Sequence, residues 1–432
     1  MVQSVFLLMI IIVAAVGGGF AYVLLNEKPG ATESIRIGVC GDLDNIYGKT
    51  TWQGAVLAAE QVNAGGGILG RNITIVVEDD DSETAPRDIA VATNALTKLI
   101  TVDKADYIIS SAGYVQVYQD ICSQQHKIFF GTGSLSDDDT QRVLDNYDKY
   151  KYFFRPGPNA SSAIDGQSDS LLTLRNYTGF TKVALLVEDV PLFTQMAEGL
   201  KNLLPEYGFD IVYNSKFPPG TSDFTSYFAA VEASGAQILS PLVVSQSCYS
   251  LVKEYGDRES PFVMWGFVGL AAENDFWELT NRKCEYITFD GLPIVAGYPL
   301  TNKTLLTREA YMQRWGEIPT GVATYSYDVV RFILSDAIKR AGTTETQAVI
   351  KALETTDIET STARRFVFTS SHDGYVGAAG PNIPSADYLL VCLFQWQANK
   401  TQVPVYPQQI LEEAGATYQY PPWSGPWTTN NP

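Results

Sequence analysis

Histidine is nearly missing from this chain: His126 and His372 are the only two in 432 residues. Most histidine-built zinc sites are thereby excluded, and no H-E-x-x-H motif is present. Five cysteines are too few for a disulfide scaffold at this length. Basic residues are also scarce, with 30 Lys and Arg against 48 Asp and Glu, a formal net charge of -18. A chain of that sign repels a phosphate backbone, which makes nucleic acid a poor match as a partner. There is no G-x-S-x-G, and neither histidine has a nucleophile nearby in sequence. Nothing therefore points to an enzyme, and no cofactor is implied. Cys40, at the end of a strand pattern, reads as a buried thiol. Cys248 and Cys284 are the candidates to pair in an oxidising compartment.

Apolar residues make up 45% of the chain and charged residues 18%, enough for a sizeable core and for two or three domains. Val5 to Leu25 has no charge and no strongly polar side chain. At about 1.5 Å per helical residue it matches a hydrocarbon core of about 30 Å. Met1 to Ser4 lacks the basic start of a secretion signal, which favours an uncleaved membrane anchor at residues 5–25 over a removed signal. The protein is then expected on the extracytoplasmic face of the cell membrane, or secreted if the segment is cleaved. Sequons at Asn72, Asn159, Asn176, Asn302 and Asn399 are compatible with export and make it a candidate glycoprotein.

From Ser34 onward short apolar strands alternate with helical periodicity. Strand patterns at 35–39, 73–77, 107–109 and 128–130 are separated by helical faces such as Trp52, Ala55, Val56, Ala59 and Val62. The pattern restarts with strands at 183–187, 211–213, 238–239 and 262–264. Such alternation implies two α/β units with parallel strands, binding ligands beyond the strands' carboxyl ends. The run Arg155-Pro156-Gly157-Pro158-Asn159 reads as a crossing between them. The expected organisation is an anchor and tether at 1–33, a first lobe at 34–155 plus 298–365, a second at 156–297 plus 366–400, and an extended tail at 401–432.

Gly65-Gly66-Gly67-Ile68-Leu69-Gly70 matches G-x-G-x-x-G but follows a helix and precedes a strand, the reverse of a dinucleotide fingerprint. The glycines read as a helix stop. Asp79-Asp80-Asp81 and Asp137-Asp138-Asp139 read as solvated loop charge, and Ile46 breaks the calcium-loop pattern begun by Asp42 and Asp44. Ser110-Ser111-Ala112-Gly113 and Gly131-Thr132-Gly133-Ser134 each follow a strand. Small residues there let a carboxylate approach hydroxyls and backbone N–H groups, or are simply tight turns.

With these residues in view, the run Ile35–Asp81 resembles the branched-chain amino-acid-type (type I) solute-binding proteins of ABC transporters. The carriers are Ile37-Gly38-Val39, Tyr47-Gly48, Leu57-Ala58-Ala59-Glu60, the stretch Asn63 to Arg71, and Glu78 to Asp81. The resemblance extends over about residues 35–400. It implies an α/β type I periplasmic-binding-protein fold: two doubly wound parallel-sheet lobes joined by three crossing strands, preceded here by the N-terminal transmembrane helix. It further implies a small-molecule ligand in the inter-lobe cleft and an ABC permease as the membrane partner. Carried over by position, the first-lobe ligand contacts fall at Tyr47, Ser111, Ala112, Gly113, Gly133 and Ser134. In the second lobe Phe193 stands closest to the family's tyrosine, and Trp265-Gly266-Phe267 occupies the region of its amino-group-pairing acid, making Gly266 and Phe267 candidate contacts. No carboxylate lies in that region. Either Glu188, Asp189 or Asp44 substitutes, or the ligand has no ammonium group. Gly133→Val is expected to abolish binding with the fold intact, and Ser134→Ala to weaken binding without changing the unliganded melting temperature. The leading expectation is a solute-binding protein for an amino acid or related amide or carboxylate. The alternative is a ligand-sensing ectodomain working with a separate signalling chain.

Overall fold

The computed structural model describes residues 33–82, 88–111, 113–273, 275–377, 386–398 and 400–423. The first sheet contains β1 (Ile35–Cys40), β2 (Ile73–Glu78), β3 (Tyr107–Ser110), β4 (Ile128–Gly131) and β5 (Phe153–Phe154). They are all parallel, in the order β2-β1-β3-β4-β5. The strands run apolar along their length because helices cover both faces. One face carries Ile35, Ile37 and Val39 against the helix Ile46–Ala64 and the helical region around Ala323 to Ile338. The other carries Ile108 and Phe129 against Leu96, Leu99 and Tyr118. Asn45 starts the helix Ile46–Ala64 by accepting a hydrogen bond from the Tyr47 N–H. Gly66 and Gly67, at φ +95° and +78°, end it, as their order in the sequence implied.

The second sheet begins with β6 (Lys182–Glu188), β7 (Asp210–Phe217), β8 (Ile238–Val243), β9 (Val263–Val268) and β10 (Thr288–Gly291), all parallel. The chain then returns to the first lobe, where β11 (Asp357–Ile358) and β12 (Phe366–Val367) form a short antiparallel ribbon. β13 (Cys392–Gln397) and β14 (Thr401–Tyr406) complete the second sheet antiparallel, giving the order β14-β13-β10-β9-β8-β6-β7. The chain passes three times between the two cores. Phe154 lies in the first core and Leu171 in the second, Leu300 in the second and Tyr311 in the first, and Leu389 in the first and Leu390 in the second.

Several expectations change. Phe366 and Phe368 pack in the first core and Leu300 in the second, whereas the expected boundaries at 365/366 and 297/298 put them in the other lobe. The start of the expected tail is not an extended strap: residues 401–406 are the edge strand β14, and Gln408–Glu413 is a helix whose Ile410 enters the second core. Asp137 to Asp139 open the helix Asp137–Asp145, where carboxylates oppose the positive helix end. Asp139 and Asp80 are both buried rather than solvated. Among the described residues no helix is long and apolar enough to cross a membrane, and the span 5–25 lies outside them.

The expected Cys248–Cys284 pairing is also corrected. All five cysteines are buried free thiols, including Cys40 as anticipated. Cys248 and Cys284 both serve as small apolar residues of the same core cluster. We expect no thiol to react with a disulfide reagent in the native protein, and all five to react after unfolding without reductant. A count two short would restore the pair.

Candidate functional site

The crossings leave and enter the sheets at one kind of edge. The first departs from the carboxyl end of β5 and the second from the carboxyl end of β10. The third enters β13 at Cys392, which pairs with Gly291 at that same end of β10. The carboxyl edges of both sheets therefore border the crossings. Each sheet also has a switch point, where the chain winds off in opposite directions: between β1 and β3 in the first, and between β6 and β8 in the second. Open α/β sheets bind ligands at such points.

On the first-lobe edge the two small-residue loops come together as the sequence suggested. Ser111 is fully buried. Thr132 donates to the Ser110 carbonyl from its backbone N–H at 2.8 Å and from its hydroxyl at 3.0 Å. A Cβ on Gly133 would lie 2.1 Å from the Ser111 carbonyl oxygen. Gly113 has φ +81°, and a Cβ there would lie 2.4 Å from Ser82 Oγ. Both glycines are thus already required by contacts within the lobe. Tyr47, in the first helical turn, is 36% exposed. Ala112 lies outside the described residues.

Ser134 has a role the sequence did not disclose. Its hydroxyl donates to Asp139 Oδ2 at 2.6 Å and accepts from an Arg155 terminal nitrogen at 3.3 Å. Burial pushes the Asp139 carboxyl upward, while the Ser134 hydroxyl and the Arg155 charge work the other way. The Ser134 hydroxyl thus serves Asp139, and Ser134→Ala would strip a donor from a buried acid. Arg155, completely buried, bonds Asp373 Oδ1 at 2.6 Å and ties the start of the first crossing to the first-lobe segment between Phe368 and Gly374. Asp42, Asp79 and Asp81 place a ligand-capable oxygen each within 4.8 Å of one another on the same edge. Backbone donors already engage two of them: Asp42 accepts from the Asp44 and Asn45 N–H groups, and Asp79 from those of Leu43 and Asp81.

On the second-lobe edge Phe193 and Phe267 pack together with ring centroids 5.2 Å apart. Phe193 is almost fully buried and belongs to the lobe core, with Phe267 part-buried against it. Gly266 lies inside β9, where a Cβ would sit 2.5 Å from the Pro241 carbonyl oxygen, so it serves sheet packing. Of the acids the sequence offered as substitutes, Asp44 is exposed, and exposed Asp189 pairs with Lys216 at 2.9 Å. Glu188 is fully buried at the end of β6, and its Oε2 accepts from the N–H groups of Val244 at 2.9 Å and Ser245 at 3.1 Å. The sequence reading did not single out Asp290, at the end of β10. Its Oδ1 is withdrawn from solvent, and burial pushes its carboxyl up to about 7.

A family profile described as periplasmic binding protein matches residues 34–378. The chain belongs to the periplasmic binding protein family. It is a type I solute-binding protein, as the motifs between Ile37 and Asp81 implied. Leu/Ile/Val-binding protein homolog 7 of Brucella abortus (strain 2308) is 23% identical over 333 residues, covering 73% of this chain and 78% of that protein. A putative branched-chain amino acid ABC transporter from Silicibacter pomeroyi has a TM-score of 0.78 at 18% identity, covering 90% of this chain and all 100% of that one. The branched-chain amino acid transporter substrate binding protein of Streptococcus pneumoniae, solved with isoleucine, has a TM-score of 0.67 at 19% identity, covering 86% of this chain and 99% of that one. Those two structural likenesses concern the fold.

Proposed function

We propose that this periplasmic binding protein captures a small polar solute between the carboxyl edges of its two lobes and delivers it to an ABC importer. The apolar run 5–25 would hold it on the extracytoplasmic face of the membrane. The observation that carries the reading is the placement of both switch points on edges that border the crossings. Tyr47, the backbone of the Ser111 and Gly133 loops, and Phe267 would line the solute on this reading.

The test is mass spectrometry of solute released from protein purified without denaturant, followed by a thermal-shift series with that compound. At 100 times its dissociation constant a ligand should add about 2.7 kcal/mol to stability. No released solute, and no shift with any small amine, amide or carboxylate, would sink the proposal.

A further inference from the structure

An ion pair joins the two lobes at a distance from the switch points. β14 is followed by the helix Gln408–Glu413, an element beyond the residues 34–378 that the family profile matches. Ile410 seats this helix in the second core. Arg364 belongs to the first lobe, since Ala363 and Phe366 beside it pack in the first core. Its two terminal nitrogens donate to the two carboxylate oxygens of Glu413, to Oε1 at 3.1 Å. Its Nε donates to the Leu300 carbonyl, in the second crossing, at 3.2 Å. Glu413 is also held from its own side. Gln409 Nε2 donates to Oε1 at 3.0 Å, and the Tyr298 hydroxyl donates to Oε2 at 3.5 Å. Hydrogen bonding to Arg364 keeps the Glu413 carboxyl below its usual range. A two-bond guanidinium–carboxylate contact fixes the geometry of its partners, so the lobes cannot rotate against each other there without losing a bond.

The position of the pair decides what it does. The second crossing leaves the second sheet from β10, and the third enters it at β13. In the order β14-β13-β10-β9-β8-β6-β7, the switch point between β8 and β6 lies on one side of those two strands and β14 on the other. Tyr406, the last residue of β14, pairs with Leu393 of β13, so the helix that follows starts at the carboxyl edge, beside the crossings. A rotation about the crossings that brings the two switch points together therefore draws β14 and its helix away from the first lobe. We propose that the Arg364–Glu413 pair is a latch on the far side of the hinge, which holds the lobes open and must break before they close. Such a latch lowers the affinity for every solute alike, because it acts on closure and touches none of them.

Double electron–electron resonance on the unliganded full chain tests the latch. Nitroxides are placed on Ala90→Cys, in the first turn of the helix after β2, and on Gln195→Cys, near the start of the helix after β6. Both positions are exposed, and the five native thiols are buried. The wild type should show mainly the longer distance. Glu413→Gln and Arg364→Gln should each move population to a shorter one, lowering the open-to-closed ratio about two- to fivefold. That is the range for an ion pair whose side chains are 27% and 36% exposed. Glu412→Gln removes the same charge one residue away in the same helix and should leave the distances as in the wild type. Should Glu413→Gln unfold that short helix, Arg364→Gln reads the same bond from the other lobe. Unchanged distances in both variants would overturn the latch. So would a shift to longer distances, a shift in only one of two folded variants, or an equal shift in Glu412→Gln. No solute enters the measurement, so each of these results leaves the solute-binding reading standing.

Discussion

Arg155→Met should lower stability by about 3–5 kcal/mol, the cost typical of breaking a buried ion pair from one side. The guanidinium is fully buried. Its Nε donates to Asp373 Oδ1 at 2.6 Å, one terminal nitrogen to the Ser136 carbonyl at 2.7 Å, and the other to Thr140 Oγ1 at 2.8 Å. Its backbone N–H donates to the His372 carbonyl at 2.9 Å, and its carbonyl accepts from the Gly374 N–H at 2.7 Å. Methionine keeps the backbone bonds and much of the volume but leaves Asp373 buried without its cation. Hydroxyls from Thr140 at 2.9 Å and Ser371 at 3.2 Å would remain on that carboxylate, and they carry no charge. Adding Asp373→Asn to Arg155→Met should recover a large part of the loss, because the stranded charge goes with it. Urea unfolding of the two variants measures both effects. A loss under about 1 kcal/mol for Arg155→Met would mean the pair is solvated in solution and does not fasten the start of the first crossing.

This bridge also marks where sequence reading stops. The strands and helices of both lobes were legible because apolar spacing of two or of three to four directly reports which face is buried. The glycine run 65–70 was legible because its order relative to helix and strand has a single sensible reading. Arg155 and Asp373 are separated by 218 positions, and neither carries a local signal that it will meet a partner. Glu188 was one of three substitutes that the chain offered equally; only the fold distinguishes it, by burying it beside the N–H groups of Val244 and Ser245. β14, which contains Pro404, falls in what the sequence reads as an extended tail. The strand is possible because it forms the sheet's edge, where a missing N–H is tolerated. The cysteine pairing failed for a related reason: sharing a lobe says nothing about Cβ geometry.

Gly133→Val should destabilise the first lobe itself, contrary to a purely ligand-facing role for this glycine. A Cβ would meet the Ser111 carbonyl oxygen at 2.1 Å, its carbon at 2.8 Å, and Val322 Cγ1 at 3.1 Å. Two of these contacts are backbone, which cannot rotate away, and Ser111 follows directly on β3. Relief would require moving the β4 loop, whose Thr132 is fastened to Ser110 by two hydrogen bonds. Overpacking of this kind typically costs about 1–3 kcal/mol, and a branched residue against a carbonyl belongs at the upper end. Ser134→Ala probes the same loop by subtraction. It removes the donor that Asp139 receives at 2.6 Å, and an acceptor left buried costs about 1–3 kcal/mol. Both variants should therefore melt below the wild type with no ligand present. A melting temperature equal to wild type for both, with solute binding lost, would return these positions to the direct ligand contacts that the family resemblance implied.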